Sequence, residues 1–80
     1  MPWFVYIIEC NDGSFYTGIS NNPAARIAAH NAGKGAKYTK GRGPVLLKAL
    51  FEFETRREAM KEEYRIKQLD KTRKMKLFNV

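Results

Sequence analysis

The first twenty residues constrain the fold most, because they read as two strands joined by a tight turn. Residues 3–10 are mainly aromatic and β-branched, which favours a strand. The next three residues, Asn11, Asp12 and Gly13, tolerate the left-handed backbone that a hairpin turn needs. Residues 14–19 are again typical of a strand, so the pattern predicts a β-hairpin at the start of the chain.

A helix is predicted next, over residues 24–30, where helix formers occur without a breaker. Asn21 or Asn22 can cap this helix, and Pro23 suits its first position. Residues 31–44 contain four glycines interleaved with Lys and Arg, which indicates a loop.

The second half of the chain predicts a third strand over residues 45–53 and a helix that opens on the capping-box pattern of residues 55–58. This helix should reach about Leu69, and a short last helix should begin at Asp70 or Thr72 and run through Leu77. The order β-β-α-β-α-α predicts an α+β fold, in which helices pack against a small sheet within a single domain over residues 1–80.

The length and the cysteine content limit the class of protein. Eighty residues suffice for one small core, and the single cysteine, Cys10, excludes an internal disulfide and a Cys-based zinc site. A small chain without such crosslinks fits a reducing compartment. No apolar run is long enough to cross a bilayer, and no basic segment precedes the first apolar run. We therefore expect a soluble cytoplasmic protein with no membrane partner.

The positive charge is concentrated in the middle of the chain. The net charge is +7, and no acidic residue occurs between Gly13 and Phe51. That window holds six cations, namely Arg26, Lys34, Lys37, Lys40, Arg42 and Lys48. A segment of one sign favours a polyanionic partner, with nucleic acid the first candidate, although a solubilising surface is the simpler alternative.

The glycine-rich loop supplies the candidate nucleic-acid-binding residues. Its cations can follow a phosphate backbone, and its one aromatic side chain can stack on a base. The residues are Lys34, Lys37, Tyr38, Lys40 and Arg42. The alternative is a mobile, solubilising loop. The loop lacks the residue order of a nucleotide-binding P-loop, which excludes an NTPase.

Glu63 is predicted to lie close to the middle of the apolar side of the second helix. The apolar residues of that side are Ala59, Met60, Tyr64, Ile66 and Leu69. A carboxylate among apolar side chains is costly unless it is paired or bound to a metal. Either Glu63 pairs with a lysine or arginine, or the helix is rotated, or Glu63 is a ligand for a hard cation such as Mg²⁺.

Four further side chains could act on a phosphate. Arg26 and His30 lie four residues apart on the first helix and so face the same way, suited to gripping phosphate and moving a proton. Tyr6 and Tyr16 lie on neighbouring strands. Each of these residues alone is more often a core aromatic or part of a solvated helix face.

Together these positions resemble the GIY-YIG nuclease superfamily, and specifically its small single-domain bacterial members of unassigned function. Phe4-Val5-Tyr6 corresponds to the first motif and Tyr16-Thr17-Gly18 to the second. Arg26, His30 and Glu63 match the family's arginine, histidine and metal-binding glutamate. Residues 33–44 and 62–69 resemble the small subgroup closely. One departure is Ile19, which stands where some relatives have a lysine that could lower a tyrosine pKa.

The resemblance implies a three-stranded antiparallel sheet flanked by helices, and hydrolysis of nucleic-acid phosphodiesters with Mg²⁺ or Mn²⁺. Glu63 would hold the metal and Arg26 would stabilise the transition state. Tyr6 or Tyr16 would activate water, with His30 assisting. DNA is favoured over RNA, in repair or processing, and a monomer is favoured over an oligomer, with a protein partner a possible source of specificity.

Two other functions remain open from the residues. The first is a nucleic-acid-binding module whose catalysis is weak or absent, which needs the positive charge and Tyr38 but not Glu63. The second is a small adaptor that docks on a protein and whose charge serves only solubility.

Overall fold

The computed structural model describes residues 1–78, which form three strands and three helices. The strands are β1 (Trp3–Glu9), β2 (Phe15–Ser20) and β3 (Leu46–Phe53). The helices are α1 (Pro23–Asn31), α2 (Arg56–Lys67) and α3 (Lys71–Met75). The α+β class and the order β-β-α-β-α-α are confirmed. Residues 79 and 80 of the predicted single domain lie outside the described residues.

The sheet is antiparallel throughout, with the strand order β2-β1-β3. The hairpin between β1 and β2 turns at Gly13, which has the positive φ of +84° that a glycine adopts without strain. The Asp12 carboxylate accepts a hydrogen bond from the Ser14 backbone N–H at 3.0 Å and so closes the turn. The predicted hairpin is therefore present.

The central strand β1 is buried on both faces, which explains why it is almost continuously apolar. Val5 and Ile7 pack against Ala59 and Ile66 of α2 on one face of the sheet. Tyr6, Ile8 and Cys10 form a second cluster on the other face with Val45, joined by the partly buried Tyr16 and Ile27. The two clusters are therefore separated only by the sheet itself. Tyr6 and Tyr16 both belong to the second cluster.

Each helix begins at a capping residue within the predicted range. Asn22 caps α1 and accepts a hydrogen bond from the Ala25 N–H, and Pro23 takes the first helical position. Thr55 caps α2 through the Glu58 N–H, as the capping-box pattern predicts. Asp70 caps α3.

The predicted apolar side of α2 was wrong in part. Met60 and Tyr64 are exposed, to 43% and 71%, while Ala59 and Ile66 are fully buried. The helix is rotated so that its contact side follows Ala59, Glu63 and Ile66, the i, i+4, i+7 positions of one face. Glu63 thus stays on the inward side, although two of its expected apolar neighbours do not.

The glycine-rich loop is anchored at both ends by side-chain amides. The Val45 N–H donates to the Asn31 side-chain oxygen at 2.7 Å, and the Asn11 amide donates to the Gly43 carbonyl at 3.0 Å. The Asn11 backbone N–H also donates to the Arg42 carbonyl at 2.7 Å. These bonds fix the loop between the hairpin turn and the end of α1.

Within residues 1–78 no helix is long and apolar enough to cross a membrane.

Candidate active site

Strand register places Tyr6 and Tyr16 on the same face of the sheet. Tyr6 lies opposite Gly18, and Tyr16 lies opposite Ile8, so the tyrosines are diagonal neighbours across β1 and β2. Their ring centroids are 6.5 Å apart. The alternation of side chains along each strand predicted neither their pairing nor their common face, which depend on the register of the hairpin.

A chain of buried polar groups runs from Tyr6 into the basic loop. The Tyr6 hydroxyl lies 2.9 Å from His30 Nε2, and His30 Nδ1 lies 2.7 Å from the Thr39 hydroxyl. The Thr39 hydroxyl also lies 3.1 Å from the carbonyl oxygen of Ala36 and can donate to it. Tyr6, His30 and Thr39 are each at most 1% exposed, so this chain is shielded from bulk water.

Two glycines make room for this chain. A Cβ at Gly18 would lie 2.6 Å from Cζ of Tyr6, and a Cβ at Gly35 would lie 2.6 Å from Cγ of His30. Real Cβ atoms do not approach a ring so closely. The Tyr6 ring therefore rests directly on the backbone of β2, and the His30 ring rests on the loop.

Arg26 and Glu63 both act electrostatically on the Tyr6 hydroxyl. Burial raises the pKa of Tyr6, the neighbouring Tyr16 and the negative charge of Glu63 raise it further, and the guanidinium of Arg26 opposes them. Burial, followed by the charge of Arg26, lowers the pKa of His30. At neutral pH the Tyr6–His30 pair therefore consists of a neutral phenol and a neutral imidazole.

Arg26 differs from His30 in its exposure. Both lie on one face of α1, but Arg26 is exposed whereas His30 is buried at the last turn. An exposed guanidinium beside a buried phenol can meet a phosphate from solvent without losing its influence on Tyr6. The four predicted catalytic residues, Tyr6, Tyr16, Arg26 and His30, thus lie close together.

Glu63 pairs with Lys67, which is the first of the three alternatives that the sequence left open for this carboxylate. Its side chain is 21% exposed, and one oxygen lies 3.3 Å from Lys67 Nζ, one turn farther along α2. Among residues 1–78 no cluster of three or more potential metal-ligating side chains occurs. Mg²⁺ commonly binds through one or two carboxylates and completes its shell with water and substrate phosphate. The donor set therefore fits Mg²⁺ or Mn²⁺ and does not fit a closed protein site.

The lysines of the basic loop line an open cavity on the protein surface. The cavity has a volume of about 410 Å³, and its lining residues are Gly33, Lys34, Gly35, Ala36, Lys37 and Lys40. Because Gly35 also supports the His30 ring, the cavity lies next to the buried polar chain.

Tyr38 and Arg42 are partly engaged within the protein. Tyr38 stacks on Tyr16 with ring centroids 5.8 Å apart, and the Arg42 guanidinium lies 4.4 Å from the centre of the Tyr38 ring. Arg42 also forms an ion pair with Asp12 at 2.6 Å. Tyr38 remains 40% exposed, so part of it is open to a ligand.

A family model described as the GIY-YIG catalytic domain matches residues 2–77. This chain belongs to the GIY-YIG family. The tripeptides that resemble the two motifs of the family, Phe4-Val5-Tyr6 and Tyr16-Thr17-Gly18, lie on the neighbouring strands β1 and β2. The structure gives the GIY-YIG glycine a physical reason, because Gly18 is where the Tyr6 ring lies on β2.

Two relatives of this GIY-YIG domain match it over at least 90% of their own length. The UPF0213 protein of Halobacterium salinarum is 54% identical over 92% of this chain and 96% of its own. The UPF0213 protein of Staphylococcus haemolyticus is 53% identical over 92% and 90%. These names assign no activity, so the relatives define a subgroup of the family and leave its chemistry open.

Two solved structures share the fold of this GIY-YIG domain. The NMR structure of the UPF0213 protein from Bacillus halodurans has a TM-score of 0.62 at 49% identity, covering 96% of this chain and 82% of that one. A protein from E. faecalis has a TM-score of 0.64 at 40% identity, covering 96% and 83%. They support the three-stranded sheet with flanking helices that the sequence predicted.

Thr39 and Gly35 were not predicted as parts of the site, and Gly18 was predicted only as the last residue of the second motif. Thr39 stands between Tyr38 and Lys40 in a loop, where a hydroxyl residue gives no sequence signal of burial. Its inward position depends on the loop folding back onto the end of α1. The contacts of Gly18 with the Tyr6 ring and of Gly35 with the His30 ring cannot be predicted from sequence spacing. Gly18 and Tyr6, for example, are 12 residues apart and meet only because β1 and β2 pair in one register.

Proposed function

We propose that this protein is a metal-dependent nuclease that hydrolyses phosphodiester bonds of DNA. One observation carries the proposal above all. A buried tyrosine lies 2.9 Å from a neutral histidine, and the exposed guanidinium of Arg26 opposes the rise that burial causes in the pKa of the tyrosine. A nonspecific binding surface has no need of such a buried arrangement. Membership of a family of catalytic domains supports the same conclusion.

The Tyr6–His30 pair is the proposed proton acceptor. A raised pKa means that Tyr6 is almost never a free phenolate, so it cannot take the proton of water by itself. If the phenol passes its own proton to His30 Nε2 as it receives one from the water, no isolated phenolate forms. Of the two tyrosines, Tyr6 has its hydroxyl within hydrogen-bonding distance of His30 Nε2, which can accept the phenol proton.

These groups account for every bond and proton that changes in the hydrolysis. The water oxygen forms a bond to phosphorus, the bond to the leaving oxygen breaks, and the water proton enters the Tyr6–His30 pair. The leaving oxygen takes a proton from solvent. Arg26, exposed beside Tyr6, stabilises the negative charge that accumulates on the phosphoryl oxygens.

Glu63 would hold the metal ion. When bound, Mg²⁺ or Mn²⁺ would act as a Lewis acid on the phosphate and offset the negative charge that raises the pKa of Tyr6. Lys67, which now pairs with Glu63, would be released toward solvent or substrate. Lys34, Lys37 and Lys40 would grip the backbone next to the scissile phosphate. Tyr38 would contact a base, and Arg42 would position it through its cation–π contact.

The proposed setting is repair or processing of DNA in the cytoplasm. Cys10 is a buried free thiol, which is consistent with a reducing compartment. The proposed form is a monomer, with a protein partner as a source of specificity.

A cleavage panel tests the proposal. Labelled single-stranded, duplex, flapped and branched DNA and RNA would be incubated with Mg²⁺ or Mn²⁺, with EDTA, and with the Glu63→Ala variant. We expect metal-dependent cleavage of a DNA substrate that EDTA and the variant both abolish. If only RNA is cleaved, the substrate is RNA and not DNA. Cleavage that persists in EDTA would refute the metal dependence.

A second candidate, a binding module without catalysis, is favoured by the lysine-lined cavity alone. Binding by Lys34, Lys37 and Lys40 needs neither Glu63 nor the buried polar chain. Salt-sensitive binding without cleavage, unaffected by Glu63→Gln and by Mg²⁺, would establish this function instead.

A further inference from the structure

We infer that Thr39 is a positioning residue that sets the tautomer of His30, so that the basic loop controls whether Tyr6 can release its proton. The inference deepens the proposed function and rests on it for its catalytic consequence. The structural part of the inference, namely which nitrogen of His30 carries the hydrogen, does not depend on the proposed function.

The Thr39 hydroxyl has a single hydrogen to donate. That oxygen has two polar neighbours, the Ala36 carbonyl at 3.1 Å and His30 Nδ1 at 2.7 Å. A carbonyl oxygen can only accept, so both contacts are hydrogen bonds at the same time only when the Thr39 hydrogen points to Ala36. The Thr39 oxygen is then free to accept, and Nδ1 must carry the hydrogen that fills the shorter bond.

The tautomer of His30 fixes the direction of the next bond. His30 is neutral at pH 7 because burial lowers its pKa, so only one of its nitrogens carries a hydrogen. With Nδ1 protonated, Nε2 presents a lone pair to the Tyr6 hydroxyl 2.9 Å away. The Tyr6 O–H therefore donates to His30. In the opposite tautomer Nε2–H would donate to Tyr6, and the phenol proton would have no acceptor there.

The loop supplies both supports of the His30 ring. Thr39 holds Nδ1 from the edge, and the backbone of Gly35 lies against the ring so closely that a Cβ would be 2.8 Å from Cε1. Gly35 also lines the cavity of Lys34, Lys37 and Lys40. The same short segment would therefore bind the phosphate backbone through its lysines and hold the His30 ring in place through Thr39 and Gly35. The loop then has a structural role in the site in addition to its positive charge.

His30 is the only histidine in the chain, and this makes the test direct. Long-range ¹H–¹⁵N correlation spectra of the uniformly labelled protein contain one imidazole, so its tautomer needs no assignment. Above the His30 pKa we expect the Nδ1–H form in the wild type. An Nε2–H form in the wild type would overturn the inference without any mutant.

Three variants complete the test. Thr39→Val keeps the shape and removes the acceptor, so a buried Nδ1–H would be left unpaired and the Nε2–H form should gain population. Thr39→Ser keeps the hydroxyl and should retain the Nδ1–H form. Lys37→Gln leaves the polar chain intact and serves as the loop control. An unchanged tautomer in folded Thr39→Val would contradict the role of Thr39.

Cleavage rates separate this inference from the proposed function. We expect kcat to fall at least about tenfold in Thr39→Val and to recover in Thr39→Ser, with KM little changed. If the protein cleaves no substrate, the proposed function fails while the spectra still decide the tautomer. If cleavage is strong and Thr39→Val changes the tautomer without changing kcat or its pH profile, the catalytic part of this inference fails alone.

Discussion

Gly18 on β2 lies directly beneath the aromatic ring of Tyr6 on β1, with no space for a side chain between them. A Cβ at this position would be 2.6 Å from Cζ of Tyr6 and nearer still to its hydroxyl oxygen. The two residues are register partners across the hairpin. The glycine of the second motif and the tyrosine of the first therefore form one structural unit.

Substituting Gly18→Ala should displace the Tyr6 ring and break its hydrogen bond to His30. We expect a loss of about 1–3 kcal/mol in the free energy of unfolding, typical of overpacking a filled site. Urea denaturation would measure it. In the Tyr6→Phe background the nearest clashing atom is absent, so the alanine should cost less. An equal cost in both backgrounds would contradict the contact.

Tyr6→Phe should lower kcat by about 10² or more, because it removes the hydroxyl that exchanges a proton with His30. Tyr16→Phe should have a smaller effect, since Tyr16 contacts the site through its ring, 5.3 Å from the centroid of His30. Single-turnover cleavage would compare them. Loss of activity in Tyr16→Phe with retention in Tyr6→Phe would reverse the assignment of the base.

The pH dependence of cleavage and of stability should both report His30. Its pKa is lowered in the folded state, so the folded protein binds fewer protons than the unfolded chain between the two pKa values. Stability should therefore fall as the pH drops through about 6.5, the unfolded value, and level off below the folded value. Cleavage should be lost as His30 protonates, because the imidazolium cannot accept from Tyr6. Denaturant titrations at several pH values, with His30→Gln as control, would check the stability. If the free energy of unfolding depends on pH in the same way in His30→Gln, the assignment of this pH dependence to His30 is contradicted.

Glu63→Gln should abolish metal-dependent cleavage while leaving the fold intact, because the amide keeps the shape and loses the charge that holds Mg²⁺. Glu62→Gln is the matched control, since the neighbouring Glu62 carboxylate pairs with Arg65 on α2. Titration of cleavage with Mn²⁺ would distinguish the variants. Equal losses in both would show that α2 as a whole, rather than Glu63, is required.

Thr17→Val should stabilise the protein. The Thr17 hydroxyl is buried and, among residues 1–78, finds no hydrogen-bond partner. Removing an unpaired hydroxyl while keeping the shape should gain about 1 kcal/mol. Thermal unfolding would measure the gain, and a clear loss would indicate a bound water at this position.

The sequence by itself determined the secondary structure and most of the candidate site. Local signals were sufficient for the hairpin, where residues 11–13 suit a turn, and for the three helices, whose capping residues lie within the predicted ranges. The spacing of Tyr6, Tyr16, Arg26, His30 and Glu63 was enough to suggest a family, which the match to residues 2–77 confirms.

Only the tertiary structure decided how these residues act on one another. Exposure of Met60 and Tyr64 follows from the rotation of α2 against the sheet, which periodicity cannot fix when apolar residues occupy two sides of a helix. The burial of Thr39 and its contact with His30 follow from the folding of an irregular loop onto α1. Hydrogen bonds between residues far apart in sequence depend on distances of tenths of an ångström, and a linear pattern contains no such information.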